Sequence, residues 1–210
     1  MRQRCADAVS YTKMIDLFIG EKDKEIEKKA LELGFSEIFF CKIVEHVKEI
    51  DKNDKEKYDC YIVKTKDIEQ FRRIIDKSAN FISKLIVLGT TNVVNRIALE
   101  NKRVFALLNP EYGREKDYLD SRDSGLNQVL CKIARDFNKK ILISIDLLRD
   151  EKNLGRVLQN FKLCKKFGNE IQIVNFVSDV SEMKRSFELK EIERVLLSKE
   201  HFERRFINPQ

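Results

Sequence analysis

Two acids stand where an α/β protein would place chemistry. Asp16 and Asp146 each lie at or near the C-terminal end of a short apolar run that reads as a strand, and barrel enzymes collect their reactive groups at those ends. A carboxylate pair there could hold a divalent metal and activate water against a phosphate ester. The plainer alternative is that each caps the helix that follows, or pairs with a cation of the sheet. Absences favour the plainer one. His46 and His201 are the only histidines, too few for a multi-histidine metal cluster. There is no G-x-G-x-x-G, no G-x-x-x-x-G-K-[ST] and no G-x-S-x-G, so the usual cradles for dinucleotides and nucleoside triphosphates and the hydrolase elbow are missing. Cys5, Cys41, Cys60, Cys131 and Cys164 form no C-x-x-C pair and are odd in number, which argues against a disulfide framework. Cys41 and Cys60 fall in strand-like runs and Cys131 and Cys164 on helical faces, as buried thiols of a reducing compartment would.

The cations point elsewhere. Lys and Arg number 41 against 35 Asp and Glu, a formal charge of +6. Between residues 135 and 166 there are nine Lys and Arg against four Asp and Glu. Lys139 and Lys140 precede a strand, Arg149, Lys152 and Arg156 surround the start of the next helix, and Lys162, Lys165 and Lys166 end it. Solvation and the helix dipole could account for each singly. Their density suggests a patch facing phosphate, which would bind backbone without reading sequence and would weaken steeply with salt.

These residues need elements to hold them. Apolar β-branched runs occur at residues 14–19, 37–44, 59–64, 85–88, 104–108, 141–145 and 171–176. Amphipathic segments alternate with them, including Ile68, Phe71, Ile74, Ile75, Ala79 and Ile82 on one face, and a short helix over 93–99. Leu126, Val129, Leu130, Ile133 and Phe137 form another face, with Asp123 or Ser124 as its N-cap. Leu154, Val157, Leu158, Phe161 and Cys164 lead to a helix end at Gly168, and Leu189, Ile192, Val195 and Leu196 mark a closing helix. Residues 45–57 are charge-dense and read as an exposed loop or a short irregular helix. Continuous apolar strands are buried on both faces, as in a parallel sheet with helical crossovers. An open doubly wound sheet and a closed barrel both satisfy that pattern. With 7 Gly and 2 Pro, a long flexible linker is not expected, and residues 1–210 read as one domain with peripheral tails at 1–12 and 199–210. The opening residues carry no apolar signal segment and no run approaches a membrane span, which predicts a soluble, cytoplasmic protein.

The most distinctive stretch is Arg122-Asp123-Ser124-Gly125-Leu126-Asn127-Gln128-Val129-Leu130. Together with Ile133, Ala134, Arg135 and Asp136 and the strand after Lys140, it resembles the signature of the ribonuclease P protein component 3 family, the archaeal counterpart of the thirty-kilodalton eukaryotic subunit. Residues 92–96 followed by Ala98 and Glu100 resemble the family's short arginine-bearing helix, and residues 178–185 its Ser-led loop ending in arginine. The likeness runs in order over residues 14–197. It implies an α/β fold, a TIM-barrel-like (β/α) barrel with about seven mostly parallel strands, related to the polymerase-and-histidinol-phosphatase metallo-phosphoesterase barrels. Those enzymes carry D-x-H-x-H on the first strand, where Asp16-Leu17-Phe18 stands here, so the metal ligands are missing. Gln128 stands where the family usually has His, Asp179-Val180 replaces small residues, and residues 111–121 form a longer loop. The short chain end suggests that an eighth strand is absent.

The resemblance further implies a subunit of an RNA-catalysed endoribonuclease that removes the 5′ leader of pre-tRNA. Such a subunit has no catalytic residue or cofactor of its own, and Mg²⁺ is required by the RNA subunit. Its implied partners are the ribonuclease P RNA, protein component 2, the other protein subunits and pre-tRNA. On this reading Arg96, Arg122, Lys166 and Arg185, with Lys139, Lys140 and Arg156, contact RNA or a protein partner. The rival is a free-standing metal-dependent barrel phosphoesterase or nuclease built on Asp16 and Asp146.

Overall fold

The computed structural model describes residues 13–114, 117 and 122–198. The expected tails, with Cys5 and His201, lie outside the described residues, as does most of the expected long loop before Arg122. Seven strands form one sheet in the order β1 to β7: β1 (Ile15–Ile19), β2 (Glu37–Val44), β3 (Cys60–Val63), β4 (Lys84–Leu88), β5 (Val104–Leu108), β6 (Lys140–Ser144) and β7 (Ile171–Val174). Each strand pairs in parallel with its sequence neighbour. Helices fill the crossovers, α1 (Lys24–Glu32), α2 (Asp54–Lys57), α3 (Ile68–Ser78), α4 (Asn92–Glu100), α5 (Gln128–Asp136) and α6 (Glu151–Phe167), and α7 (Ser186–Leu197) follows the last strand. A doubly wound sheet reverses its strand order at a switch point. Here the order never reverses, so the sheet curls into a barrel, and the open alternative falls.

The barrel closes through side chains more than through backbone. Between β7 and β1 lie an isolated parallel bridge, Phe18 to Val177, and the bond from the Ile19 amide to the Val177 carbonyl, 2.8 Å. The rest of the seam is side-chain chemistry. The Gln172 amide accepts from the Ile15 N–H at 3.5 Å and donates to the Ile15 carbonyl at 2.5 Å, standing in for a strand neighbour. Asp16 accepts from the Asn175 N–H and from Asn175 Nδ2, both at 2.7 Å. No eighth strand occurs among the described residues.

Period-two strand geometry divides the core in two. Leu17, Phe39, Cys41, Cys60, Ile62, Leu88, Ala106, Leu108 and Leu142 pack together as one cluster that fills the barrel. Phe18, Phe40, Tyr61, Val63, Leu85, Leu107, Ile141 and Ile173 belong to the other, with the helices that cover the sheet. Cys41, Cys60, Cys131 and Cys164 are free and buried.

Local differences from the sequence reading have simple causes. Residues 45–57 are ordered, as a 3₁₀ turn at Val47–Glu49 and the helix α2. Asp54 anchors them: its carboxylate accepts from Tyr61 Oη at 2.7 Å and lies 2.9 Å from Lys42 Nζ. Burial pushes the Asp54 carboxyl up, but bonds from the Asp51 amide, Tyr61 and Lys42 outweigh it and the net shift is downward. The cap of α5 is neither Asp123 nor Ser124 but Asn127, whose Oδ1 accepts from the Leu130 amide at 2.9 Å. Ser124 instead donates to the Leu126 carbonyl and Asp123 accepts from the Gly125 N–H. The buried face also differs from the one expected. Leu130, Cys131 and Ala134 face inward while Val129 and Phe137 are exposed.

Candidate RNA-contacting surface

Lys139 does not present its charge to solvent. It is buried, and its ammonium donates to the Asn101 carbonyl at 2.7 Å and to the Val104 carbonyl. Burial lowers its pKa, and its place in the fold is a tie between the end of α4 and the start of β5. Lys140, half-buried, pairs with Glu170 across the strand ends. Arg96 is exposed on α4 and pairs with Glu100 one turn on, at 2.8 Å. Lys166 ends α6 beside the Phe167 ring, 5.8 Å from its centroid, where a cation meets the carbonyl end of the helix dipole.

Arg185 is exposed immediately before α7, and its backbone N–H donates to Glu188 at 3.0 Å. The loop that carries it is tied to the seam. Asn175 accepts from the Lys184 N–H and donates to the Lys184 carbonyl, while holding Asp16 with the same amide nitrogen. Asp16 is the second residue of β1, so it lies near that strand's N-terminal end and not, as expected, near its C-terminal end; it is fully enclosed, and burial raises its pKa to about 6 against those bonds. Asp146 is exposed and sits 3.5 Å from Arg149. Among the described residues, no group of three or more His, Cys, Asp or Glu is placed to hold a metal ion.

One place gathers several cations. The loop after β5 and the start of α6 enclose a pocket of about 530 Å³ lined by Arg114, Asp117, Arg122, Glu151, Lys152 and Arg156. Arg114 and Arg156 are each 8% exposed and pair at 2.9 Å with Asp123 and Asp117 respectively. Arg122 is exposed, and its guanidinium lies on the backbone of Gly155 in α6. A Cβ built there would fall 1.2 Å from Arg122 Nη1. Beneath them Glu111 is wholly buried, receiving Asn160 Nδ2 at 3.0 Å. Burial raises its carboxyl to about 8, with bonds from its own backbone and Asn160 and the charges of Arg114 and Arg156 opposing.

The structure therefore brings Arg122 and Arg156 together and leaves Arg96, Lys166, Arg185 and Lys140 on other parts of the surface. Arg114 escaped the sequence reading because it sits in a mixed-charge loop with no periodicity. A glycine within the amphipathic run of α6 was the available signal, since an interior helical glycine needs a reason such as close approach. A second cavity, about 600 Å³, opens beyond the ends of β2 to β4 between His46, Lys64, Lys66, Thr90 and Tyr112. No helix among the described residues is long and apolar enough to cross a membrane.

No protein-family model matches the chain, but curated relatives do. Ribonuclease P protein component 3 of Methanocaldococcus jannaschii is 29% identical over 153 residues, which are 70% of this chain and 63% of that protein. The proteins of the same name from Methanosarcina acetivorans and Methanosarcina mazei are 35% and 32% identical over 100 residues, 45% of this chain and 38% of theirs. The chain thus spans less than two thirds of the length of each of these relatives. A chain of a solved assembly, archaeal ribonuclease P with mature tRNA, shares the fold with a TM-score of 0.68 at 23% identity, covering 88% of this chain and 83% of that one. The resemblance seen in the sequence is matched by relatives bearing the family's name.

Proposed function

We propose that this chain is a protein component 3 subunit of ribonuclease P. It binds protein component 2 and supports the catalytic RNA, which removes the 5′ leader of pre-tRNA and holds the Mg²⁺ that activates water. The observation that carries this reading is the match to three curated relatives of that one name, at 29 to 35% identity. The barrel fold and the exposed cations Arg96, Arg122, Lys166 and Arg185 are consistent with it. The same reading makes the protein cytoplasmic. It also makes the fold a relative of metallo-phosphoesterase barrels in which the metal site has been lost. In support, Asp16, where those enzymes begin their ligand motif, is committed here to Asn175.

The test is pre-tRNA cleavage by a cognate ribonuclease P RNA with protein component 2, with and without this protein, at moderate Mg²⁺. Stimulation that needs both RNA and component 2 is expected. Cleavage by the protein without RNA, abolished by Asp16→Asn, would sink the subunit reading and restore the phosphoesterase one.

A further inference from the structure

We infer that the pocket between the loop after β5 and the start of α6 is a seat for a single phosphate group, held by Arg114, Arg122, Arg156 and Lys152. The first sign is an unmet need. Arg114 spends Nη1 on Asp123, yet its Nε and Nη2 are buried with no partner. A buried guanidinium with two idle nitrogens, carrying three N–H donors between them, forgoes bonds that it would make in water. An anion in the pocket that this side chain lines would supply them. The second sign is a stand-in. Arg156 directs both Nε, at 3.3 Å, and Nη2, at 2.9 Å, at one oxygen of Asp117. Asp117 is itself 43% exposed, so a carboxylate at the pocket mouth occupies the position a phosphate oxygen would take.

The surroundings agree. Lys152 sits in the first turn of a 17-residue helix, the end whose dipole favours anions. Gly155 lets the Arg122 guanidinium lie against the next turn, although glycine is less favourable than alanine in a helix interior. Four cations line the pocket against Asp117 and Glu151. Asp123 neutralises part of Arg114. Glu111 below does not add a full negative charge at neutral pH, since burial holds its carboxyl up to about 8. The seat therefore keeps a positive surplus that an arriving phosphate can use.

A phosphodiester of RNA and a free phosphate share this chemistry. The choice of RNA rests on the proposed function, whereas the seat itself does not. The experiment titrates the full chain with inorganic phosphate, followed by NMR shifts of arginine side chains. In parallel it titrates the chain with single-stranded and duplex RNA oligonucleotides of arbitrary sequence at several salt concentrations. Arg114→Gln and the exposed-site variant Arg122→Gln should each weaken RNA binding across sequences and lower the salt slope by about one unit. Asp117→Asn, which removes the competing carboxylate, should tighten binding of both probes, the reverse of what loss of a merely structural ion pair would do. Phosphate binding without RNA binding would keep the seat and overturn its RNA source. RNA binding unchanged in folded Arg114→Gln and Arg122→Gln, with Asp117→Asn neutral or weaker, would overturn the seat and leave the subunit reading standing.

Discussion

Single residues here carry charge in places where charge is costly, and pH exposes that cost. Glu111 ionises in the unfolded chain near 4.5 but in the fold only near 8. A raised carboxyl binds its proton more tightly folded than unfolded, so below about 4.5 it costs nothing. The penalty grows as pH rises through that window and is complete above about 8. Glu111→Gln should therefore flatten the fall in stability between pH 5 and pH 8, seen by denaturant titration at several pH values, provided Asn160 can hold the amide. Arg114, Arg156 and Cys164 are the charged or titratable groups that act on Glu111 or are acted on by it, and none needs to change for the effect. An unchanged slope would show that Glu111 shares the pocket's charge already. Lys139 is the converse case, a cation whose value is structural. Lys139→Met keeps the stem but loses two bonds to backbone carbonyls, with an expected loss of about 2 kcal/mol and no effect on the salt dependence of RNA binding.

At the scale of elements, helix α6 sets two demands against each other at Gly155. Alanine there should favour the helix by about 1 kcal/mol, yet its methyl group would collide with Arg122. The expected outcome of Gly155→Ala is an unchanged or higher Tm together with weaker, less salt-dependent RNA binding. A lower Tm with unaltered binding would show that Arg122 simply moves aside. The extent of α6 was legible in the sequence, because Leu154, Val157, Leu158, Phe161 and Cys164 mark a face and Gly168 ends it with φ of 71°. The start of α5 was not. Asp123, Ser124 and Asn127 are all competent caps, and only the bonds of Asp123 to Arg114 and of Ser124 to Leu126, made within the loop before α5, leave Asn127 for the helix. The same limit hid Lys139: a lysine before a strand reads as solvated until the fold lays the ends of α4 and β5 over it. Arg122 and Arg156 were legible as cations but not as neighbours, since their meeting depends on Arg122 lying against Gly155 of α6, a contact between residues far apart in the sequence.

The whole molecule turns on how a seven-stranded barrel shuts. Parallel strands buried on both faces look alike in an open and a closed sheet, so the strand count could be read from the apolar runs but closure could not. Closure is decided by Gln172 reaching Ile15, a pair 157 residues apart. No local pattern reports it. The seam also links to the surface, because Asn175 holds Asp16 on one side and Lys184 on the other, next to Arg185. Replacing Asn175 with alanine leaves the buried Asp16 carboxylate short of its donor and frees the 178–185 loop. One side-chain bond to Asp16 and the two that tie Lys184 are lost, while the backbone N–H of residue 175 still reaches Asp16, so a destabilisation of about 2–4 kcal/mol is expected. The damage should be directional. Hydrogen exchange should quicken first at Ile15 and in β7 rather than at β3 or β4, whose amides stay within a backbone ladder on both sides. If RNA affinity then falls with a smaller salt slope while Arg122 is untouched, Arg185 is a contact positioned by the seam. Uniform loss of protection across all seven strands would instead mean that the barrel opens as one cooperative unit, with the seam contributing no more than any other strand pair.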